Sequence, residues 1–576
     1  MNGEPIGEPI GGVAGGPIMT PLIEDLSQKP APRRYWLALV LFALLAFLPA
    51  FASLPITDRD EARFAQASRQ MVTSGDLIDI RFQDEARHKK PVGIYWLQSA
   101  AVALSGRGPE AELWVYRLPS LAGAVLAVVL VAVIGASLFG TVPGLLAAAL
   151  FASGLVIGGE ARIAKTDAVL LATILAAQAV LVRLYLGQAV GRGLVLCFWL
   201  AMAAGVLIKG PIGPMVPLFT AGALVLVDRQ AGWRAGWQAG WLAPLWSLWP
   251  ILAALVVTLP WFIAITLRSD GAFWTGSVSA DLLSKVASGQ EGKGAPPGTY
   301  LVMLLFGFWP VLPLLILTLP AIWQARRAAA TRFCLAWIIP VWLLYEAIPT
   351  KLFHYTLPVY PALALLAVGH LPGALAKARP CLAAIAGLAV LPGLGLAAGI
   401  LYFAADPDLS GAAVWMLAFA IAGTLAALAL ALWAFMEDRP SQLVAAIALA
   451  GVILHGGMFA ALARMPVLWP TESAVAMART LAAEQGCDHP RLTGWGYREP
   501  SLVWHGGRDT RLFGADAPAL DVLKPGPCEV VLRARAKAET GPPANLTCPV
   551  AGTVSGLAIG AGRFVTLDVL DCRTAE

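Results

Sequence analysis

Long apolar runs separated by short polar stretches fill the chain from Tyr35 to Ala463. A helix needs about 20 apolar residues to cross the hydrocarbon core of a bilayer, because its backbone must satisfy its own hydrogen bonds there. The pattern therefore predicts a polytopic α-helical membrane protein with about thirteen transmembrane helices. The predicted spans lie near residues 35–55, 113–137, 142–158, 167–187, 193–208, 211–227, 243–267, 299–323, 333–349, 353–373, 380–403, 411–435 and 442–463.

The polar segments divide the chain into three parts. Residues 1–34 are rich in Gly and Pro and lack a signal-peptide pattern, so a disordered cytoplasmic tail is expected there. The membrane domain is expected to cover 35–464 and to include two long outer loops, 56–112 and 268–298. In residues 465–576 the hydropathy falls and short strand-like runs alternate with Gly, Pro and Asp, which predicts a small soluble α/β domain.

The composition agrees with a membrane domain of this size. Hydrophobic residues make up 58% of the chain and charged residues 13%, and the mean hydropathy is +0.71. A soluble domain usually carries about 25% charged residues. An ordinary soluble protein is therefore excluded, and no nucleic-acid partner is predicted.

Lys and Arg concentrate in alternate short loops, which predicts the side of the membrane on which each loop lies. If Met1 is cytoplasmic, an odd number of spans places both long loops and the soluble domain outside. The basic stretch RHKK at 87–90 would then also lie outside, although Lys and Arg usually concentrate in cytoplasmic loops. This exception indicates that its charges have a function. The predicted inner loops contain Arg33 and Arg34, Arg192, Arg229 and Arg234, Arg326, Arg327 and Arg332, Lys377 and Arg379, and Arg439.

Four of the seven cysteines, Cys487, Cys528, Cys548 and Cys572, fall in the predicted soluble domain. In an oxidising compartment they could form two disulfides in any of three pairings, or they could remain free thiols. The chain has no CxxC or His-rich spacing that would indicate a zinc site.

Two adjacent acids follow the first predicted span. Asp60 and Glu61 begin a segment in which Arg63, Gln66 and Arg69 recur at helical spacing, which predicts an amphipathic helix on the outer membrane surface. Acids at a membrane boundary are costly to desolvate unless they are paired or used. Glu61 could either serve catalysis or cap this helix, whereas Asp60 is interpreted as catalytic.

More charges collect on the same predicted face of the membrane. A turn rich in acids and bases, from Glu160 to Asp167, precedes the fourth span. A carboxylate among cations suits a phosphorylated lipid substrate, because the cations bind the phosphate and the carboxylate takes a proton from an acceptor. Any one lysine near the end of a span could instead simply snorkel to the interface. The candidate cations are Lys89, Lys90, Lys165, Lys209, Arg268, Lys293 and Lys351.

Five motifs in order resemble the bacterial membrane glycosyltransferases that use polyprenyl-phosphate sugars. Within them, the chain most resembles the group of the aminoarabinose lipid A transferases and protein O-mannosyltransferases. The resemblance covers roughly Tyr35 to Leu375. The motifs are DRDEARFAQ at 58–66, KKP at 89–91, ARIAKTDAVLL at 161–171, IKGPIG at 208–213 and TKLFHYTLPVYPALALL at 350–366.

This resemblance implies a GT-C fold with thirteen spans in the bacterial inner membrane. It also implies that the active site faces the periplasm and that the sugar is transferred with inversion. The implied partners are a polyprenyl-phosphate sugar donor, a lipid or glycan acceptor and membrane lipids. By position, Asp60 becomes the catalytic base and Asp167 a second active-site acid. Contacts to the donor phosphate or headgroup are implied for Arg63, Lys90, Lys209 and Lys351, and contacts to the carrier groove for His354 and Tyr355.

One departure from the family pattern concerns a metal. The lipid A transferases have a Glu before the Lys-Pro of the first loop and a His in the second loop, which together hold a divalent cation. At the corresponding positions this chain has Lys89 and Lys293, whose ammonium groups cannot coordinate a cation. We therefore predict no metal and no other cofactor, with the two lysines neutralising the leaving phosphate.

These observations predict a glycosyltransferase that moves a sugar from undecaprenyl phosphate to lipid A or another acceptor of the cell envelope. Protein O-mannosylation is an alternative that the sequence leaves open. A lipid flippase or secondary transporter is a second alternative, but it would need charged residues near the middle of its spans. The predicted span interiors are almost free of charge, with Arg183 and Glu346 as the main exceptions.

Overall fold

The computed structural model describes residues 32–57, 59–230, 240–283, 294–376, 380–404, 411–484, 486–487, 489–522, 528–536, 539 and 548–572. The predicted disordered tail at 1–34 and Lys293 therefore lie outside the described residues, apart from the last three positions of the tail. Of those, Arg33 and Arg34 already belong to the first helix, which begins two residues before the predicted start of the membrane domain at Tyr35.

Each of the thirteen apolar runs contains helix. Outside the two long loops, the α-helices of the membrane domain are Arg33–Phe47, Leu113–Phe139, Thr141–Ala152, Leu155–Glu160, Asp167–Tyr185, Arg192–Lys209, Ile212–Gln230, Leu248–Arg268, Thr299–Gly307, Val311–Gln324, Ala329–Ala347, Tyr360–Gly369, Leu371–Leu375, Pro380–Leu388, Leu391–Ala404, Gly411–Met436 and Pro440–Leu462. Among the described residues, eight helices are long and apolar enough to cross a membrane. The molecule is thus a multi-span membrane protein, while the count of thirteen spans stays a prediction.

One predicted span is wrong in detail. Residues 299–323 were expected to form a single helix, but Thr299–Gly307 and Val311–Gln324 meet at an angle of 119°. The apolar run continues through the break, so hydropathy alone does not reveal it. Pro310, which lacks a backbone N–H, stands directly before the second helix and separates it from the first.

Close helix packing positions one part of the site. The Arg192–Lys209 and Ile212–Gln230 helices form a hairpin around Gly210 and Pro211. A Cβ atom on Gly213 would lie only 2.6 Å from the Cα atom of Gly205, so the two backbones touch. Small residues permit such an approach in membrane helices, and here it holds Lys209 at the tip of the hairpin.

The outer loop 56–112 contains two helices, Arg59–Ser74 and Gly93–Ser105, and a short hairpin of β1 (Arg81–Phe82) and β2 (Glu85–Ala86). The Arg59–Ser74 helix, which we call the site helix, is amphipathic as predicted. Its Phe64, Ala67 and Met71 side chains pack into the main core of the membrane domain.

The chain after Met465 forms the predicted α/β domain. Its sheet consists of β3 (Arg491–Trp495), β4 (Arg511–Phe513), β5 (Glu529–Ala534), β6 (Val550–Ala558) and β7 (Arg563–Asp571), in the order β4-β3-β5-β7-β6. β3 runs parallel to β4 and β5, whereas β7 is antiparallel to β5 and β6. The helices are Pro470–Ala483, Pro500–Gly506 and Ala519–Val522, and disulfides join Cys487 to Cys528 and Cys548 to Cys572.

Candidate active site

Asp60 lies in the first turn of the site helix with 50% of its side chain exposed. Two arginines lie near its carboxylate: Arg63 Nη1 is 3.8 Å and Arg87 Nη2 4.0 Å from Asp60 Oδ1. The carboxylate therefore lies among positive charges and is half open to solvent. This is a suitable position for a group that must reach a substrate hydroxyl.

Glu61 occupies a structural position, which corrects its assignment as a catalytic residue. It is fully buried, and Arg117 donates to it from Nε at 2.8 Å and from Nη2 at 3.1 Å. The backbone N–H groups of Thr57 and Ala164 also donate to Glu61, each at 2.8 Å. Burial alone would raise the pKa of Glu61, but Arg117 and these hydrogen bonds hold the pKa below its usual value. Both carboxylate oxygens of Glu61 accept hydrogen bonds, and Glu61 thereby links the site helix to the segments that contain Arg117 and Ala164.

A network of buried charges lies close enough to Asp60 for the Asp60 carboxylate to act electrostatically on His354, one of its members. Its centre is Asp167 at the start of a helix, where Oδ1 accepts a hydrogen bond from Lys209 Nζ at 2.5 Å. Lys165 Nζ lies 3.7 Å from Asp167 Oδ2 and donates to Glu160 Oε1 at 3.0 Å. His354 bridges the two acids, 3.6 Å from Glu160 and 3.7 Å from Asp167. Two ammonium groups thus balance two carboxyl groups around one imidazole.

The two acids of this network differ in environment. Burial raises the pKa of Glu160 to about 7, although the Lys165 ammonium acts in the opposite direction. One Glu160 oxygen, Oε2, is buried without a hydrogen-bond partner among the described residues. Asp167 instead lies among Lys165, Lys209 and His354, so it is better placed to orient Lys209 than to accept a proton.

An apolar groove of about 870 Å³ opens next to this network. Three lysines, Lys89, Lys90 and Lys209, contribute to its wall. The remaining lining is almost entirely apolar and includes an aromatic group from the Leu248–Arg268 helix and the segment after it: Phe262, Phe273 and Trp274. A groove with an apolar wall and several ammonium groups matches the two parts of a lipid phosphate.

The resemblance placed Tyr355 and His354 in the carrier groove, but neither lines the groove described above; they lie instead next to the cations Lys209 and Lys165. The Lys209 ammonium lies 5.9 Å from the centre of the Tyr355 ring, and the Tyr345 ring is 5.6 Å from that of Tyr355. The structure therefore brings Asp167, Lys209, His354 and Tyr355 together from three separate regions of the chain.

Lys351 does not contact this site, and its assignment as a phosphate ligand is corrected. Its Nζ donates to the carbonyl oxygens of Tyr345, Glu346 and Ile348 at 2.7–2.8 Å. These are the last carbonyls of the Ala329–Ala347 helix and the residue after it, which have no intrahelical donors. The ammonium group is buried and uses all three protons there. Arg268 is also engaged elsewhere, because its Nη2 lies 2.7 Å from Asp76 Oδ2.

Two residues of the network were noticed in the sequence only as members of a charged turn: Lys165 was one of the candidate cations, and Glu160 was assigned no role. Their signal is a dense group of charges directly before an apolar run, the same signal that identified Asp167. The aromatic lining of the groove gave no comparable signal, because aromatic residues in an apolar run also face lipid or protein.

Metal ligands were predicted to be absent. Among the residues that the structure describes, no group of three or more His, Cys, Asp or Glu side chains is arranged to hold a metal ion. Lys89 lines the groove, whereas Lys293 is outside the described part of the chain. The absence of a metal from the reaction stays a prediction.

Comparison with known proteins gives a consistent set of relatives. Residues 89–263 match the family described as dolichyl-phosphate-mannose-protein mannosyltransferase. An undecaprenyl phosphate-alpha-4-amino-4-deoxy-L-arabinose arabinosyl transferase from Edwardsiella ictaluri is 27% identical over 387 residues, which are 65% of this chain and 66% of the relative. The protein of the same name from Aeromonas hydrophila is 30% identical over 57% of this chain and 58% of its own length. The chain therefore spans 66% and 58% of the lengths of these two relatives, in each case less than two thirds.

A solved structure shows the same fold over almost the whole molecule. ArnT from Cupriavidus metallidurans, bound to undecaprenyl phosphate, superposes with a TM-score of 0.70 and 20% identity. The match covers 93% of this chain and 98% of that one, and so includes the membrane domain and the α/β domain. The predicted GT-C fold is confirmed.

Proposed function

We propose that the chain is a GT-C glycosyltransferase of the family that includes the aminoarabinose transferases, and that it transfers a sugar from a polyprenyl-phosphate donor. The acceptor is lipid A or another lipid or glycan of the cell envelope. The observation that carries the proposal is the apolar groove with Lys89, Lys90 and Lys209 in its wall.

The donor binds in two parts. Its isoprenoid chain lies along the apolar wall and enters from the bilayer, because the groove is open rather than enclosed. Its phosphate meets the three ammonium groups. Negative charge grows on this phosphate as the bond to the sugar breaks, so fixed cations stabilise the transition state more than the ground state. Asp167 holds Lys209 in place for this task.

The reaction then needs a nucleophile at the anomeric carbon. If the acceptor is a hydroxyl group, Asp60 removes its proton as the oxygen forms the new bond to the sugar. The bond between the sugar and the phosphate oxygen breaks, and polyprenyl phosphate leaves with the electron pair. If the acceptor is a phosphate, it carries no proton that must be removed, and Asp60 positions it instead.

The reaction proceeds without a metal in this proposal. The side chains present support a metal-free reaction, since Lys89 is an ammonium group where the family pattern has a carboxylate. Positive charge at the leaving phosphate comes from the lysines themselves.

The site faces the periplasm of a bacterial inner membrane in this proposal. Two observations support that orientation. Arginines concentrate in the loops on the opposite side, and the soluble domain has two disulfides, which form and persist in oxidising compartments.

The function is tested with purified protein in liposomes that contain undecaprenyl-phosphate-linked aminoarabinose and lipid A. We expect labelled sugar to move to lipid A, and Lys209→Gln to reduce transfer at least about tenfold. Arg107→Gln, which changes an exposed cation paired with Glu112 in the same outer loop, is the control. Transfer from a mannosyl donor to protein alone would favour protein O-mannosylation, and lipid movement without transfer would contradict an enzyme.

A further inference from the structure

The site helix has two faces that pack against different parts of the molecule. Successive residues of a helix are about 100° apart, so Asp60 shares a face with Phe64, Ala67 and Met71, which enter the core of the membrane domain. Ala62 and Ala65 lie on the roughly opposite face and belong to a separate apolar cluster.

That second cluster is completed by the soluble domain. Trp504, on the Pro500–Gly506 helix, is its one member from beyond residue 465 among the described residues. The Trp504 ring meets Tyr116 edge-on at 5.3 Å, and the Arg69 guanidinium lies 3.6 Å from the ring centre. Arg69 also donates to the Trp504 carbonyl at 2.8 Å. The soluble domain therefore packs directly on the site helix.

A second contact holds the first turn of the helix. Arg59, the residue before Asp60, donates to both oxygens of Glu499, from Nε at 2.9 Å and from Nη2 at 2.7 Å. Glu499 is largely buried, at 11% side-chain exposure, and directly precedes the Trp504 helix. The tip of the β6–β7 hairpin supports the same arginine, because a Cβ atom on Gly560 would lie 2.9 Å from Arg59 Cγ.

These contacts restrain both the rotation and the position of the helix. Arg59 and Arg69 are ten residues apart, which is about 15 Å along a helix. A bidentate pair of hydrogen bonds between an arginine and a carboxylate fixes the direction of the contact as well as its distance. Two anchors at that separation prevent the helix from turning about its axis, and such a turn would move the Asp60 carboxylate away from His354, on which its charge acts.

We propose that Glu499 is a positioning residue, through which the soluble domain holds the first turn of the site helix so that Asp60 faces the site. The proposal rests on the proposed function for its effect on catalysis. Its structural part, the restraint of residues 59–66, does not depend on the chemistry.

The test compares Glu499→Ala and Glu499→Gln with the wild-type protein in detergent or liposomes. Hydrogen exchange of the backbone at 59–66 should become about tenfold faster in Glu499→Ala, while exchange in β5 stays unchanged. In the transfer assay, kcat should fall about tenfold with the KM for the donor within about twofold, because orientation and not donor binding is affected. Arg59→Glu combined with Glu499→Arg should recover kcat to within about threefold of wild type.

Glu484→Ala, which removes an exposed carboxylate of the same domain, is the matched control and should change neither measurement. Unchanged exchange at 59–66 in Glu499→Ala would overturn the proposal, whether or not the rate falls. If exchange increases as expected but the wild-type protein transfers no sugar, the proposed function fails while the restraint by Glu499 stands.

Discussion

Asp60 and its neighbour Glu61 show how two adjacent carboxylates acquire different roles. Glu61 points into the protein, is fully buried and is paired with Arg117, whereas half of the Asp60 side chain is exposed to solvent. Only the second arrangement leaves a carboxylate able to accept a proton from a substrate.

We expect Asp60→Asn to lower the rate of transfer to a hydroxyl acceptor by a factor of about 10² to 10⁴, because the amide keeps the shape but cannot accept the proton. Turnover of the purified variant measures this, with protein yield and thermal unfolding as the check on folding. Turnover close to that of the wild type would remove Asp60 from the mechanism.

Lys209 and Lys351 are two lysines at the ends of spans with different partners. Lys351→Met should lower the thermal stability, because three helix-end carbonyls lose their donor at a cost of about 1–3 kcal/mol. Lys209→Met should weaken binding of undecaprenyl phosphate about tenfold, because the groove loses one of its three ammonium groups. Thermal unfolding and lipid binding of both variants separate the two roles, and weaker binding in Lys351→Met at unchanged stability would contradict this assignment.

Lys89 leads to a prediction about metal dependence. Transfer should survive exhaustive treatment with EDTA, because the leaving phosphate is neutralised by lysines. Lys89→Gln should reduce kcat more than donor affinity, because the charge on the phosphate develops as the bond breaks. Loss of transfer on chelation, with recovery on adding zinc or manganese, would show that the metal-free mechanism is wrong.

At the scale of elements, the hairpin of Arg192–Lys209 and Ile212–Gln230 is the part most sensitive to small changes in volume. Gly213→Ala would place a methyl group 2.6 Å from backbone atoms of Gly205, so the helices must separate. We expect a loss of about 1–3 kcal/mol in stability and weaker donor binding, because Lys209 moves with the hairpin.

Gly222 provides the matched control for this change. It lies in the same helix as Gly213, is exposed, and would place a Cβ atom in open space. Gly222→Ala should therefore keep or slightly increase the stability. Equal effects of the two substitutions in thermal unfolding would contradict the packing argument.

The whole molecule combines a membrane domain, which supplies the groove and the charged network, with a soluble domain that packs on the helix of Asp60. For the proposed orientation, both the 56–112 loop and the soluble domain must lie outside the cytoplasm. Alkaline phosphatase fused at Gln98 and after Glu576 should be active in both places, and a fusion at Gly191 should be inactive. Activity at only one of the first two positions would contradict the orientation.

The sequence by itself determined the class of the molecule, its α/β domain and most members of the site. Apolar runs of about 20 residues have few alternatives to membrane helices, because unpaired backbone groups are too costly in hydrocarbon. Charged residues at the edges of such runs are equally informative, since burying a charge there costs free energy unless the charge has a function or a partner. Asp60, Asp167, Lys90 and Lys209 were found in this way.

Only the tertiary structure decided which of these charges lie at the groove and which pair with groups inside the protein. Lys351 and Lys209 look alike in sequence, but one meets the carbonyls at the end of a helix and the other meets Asp167 and the groove. The buried position of Glu61 is likewise explained by its ion pair with Arg117, 56 residues away. The restraint on the site helix depends on Glu499, which is 440 residues from Arg59. Partners brought together over such separations are set by how the helices and domains pack, and local periodicity and composition do not contain that information.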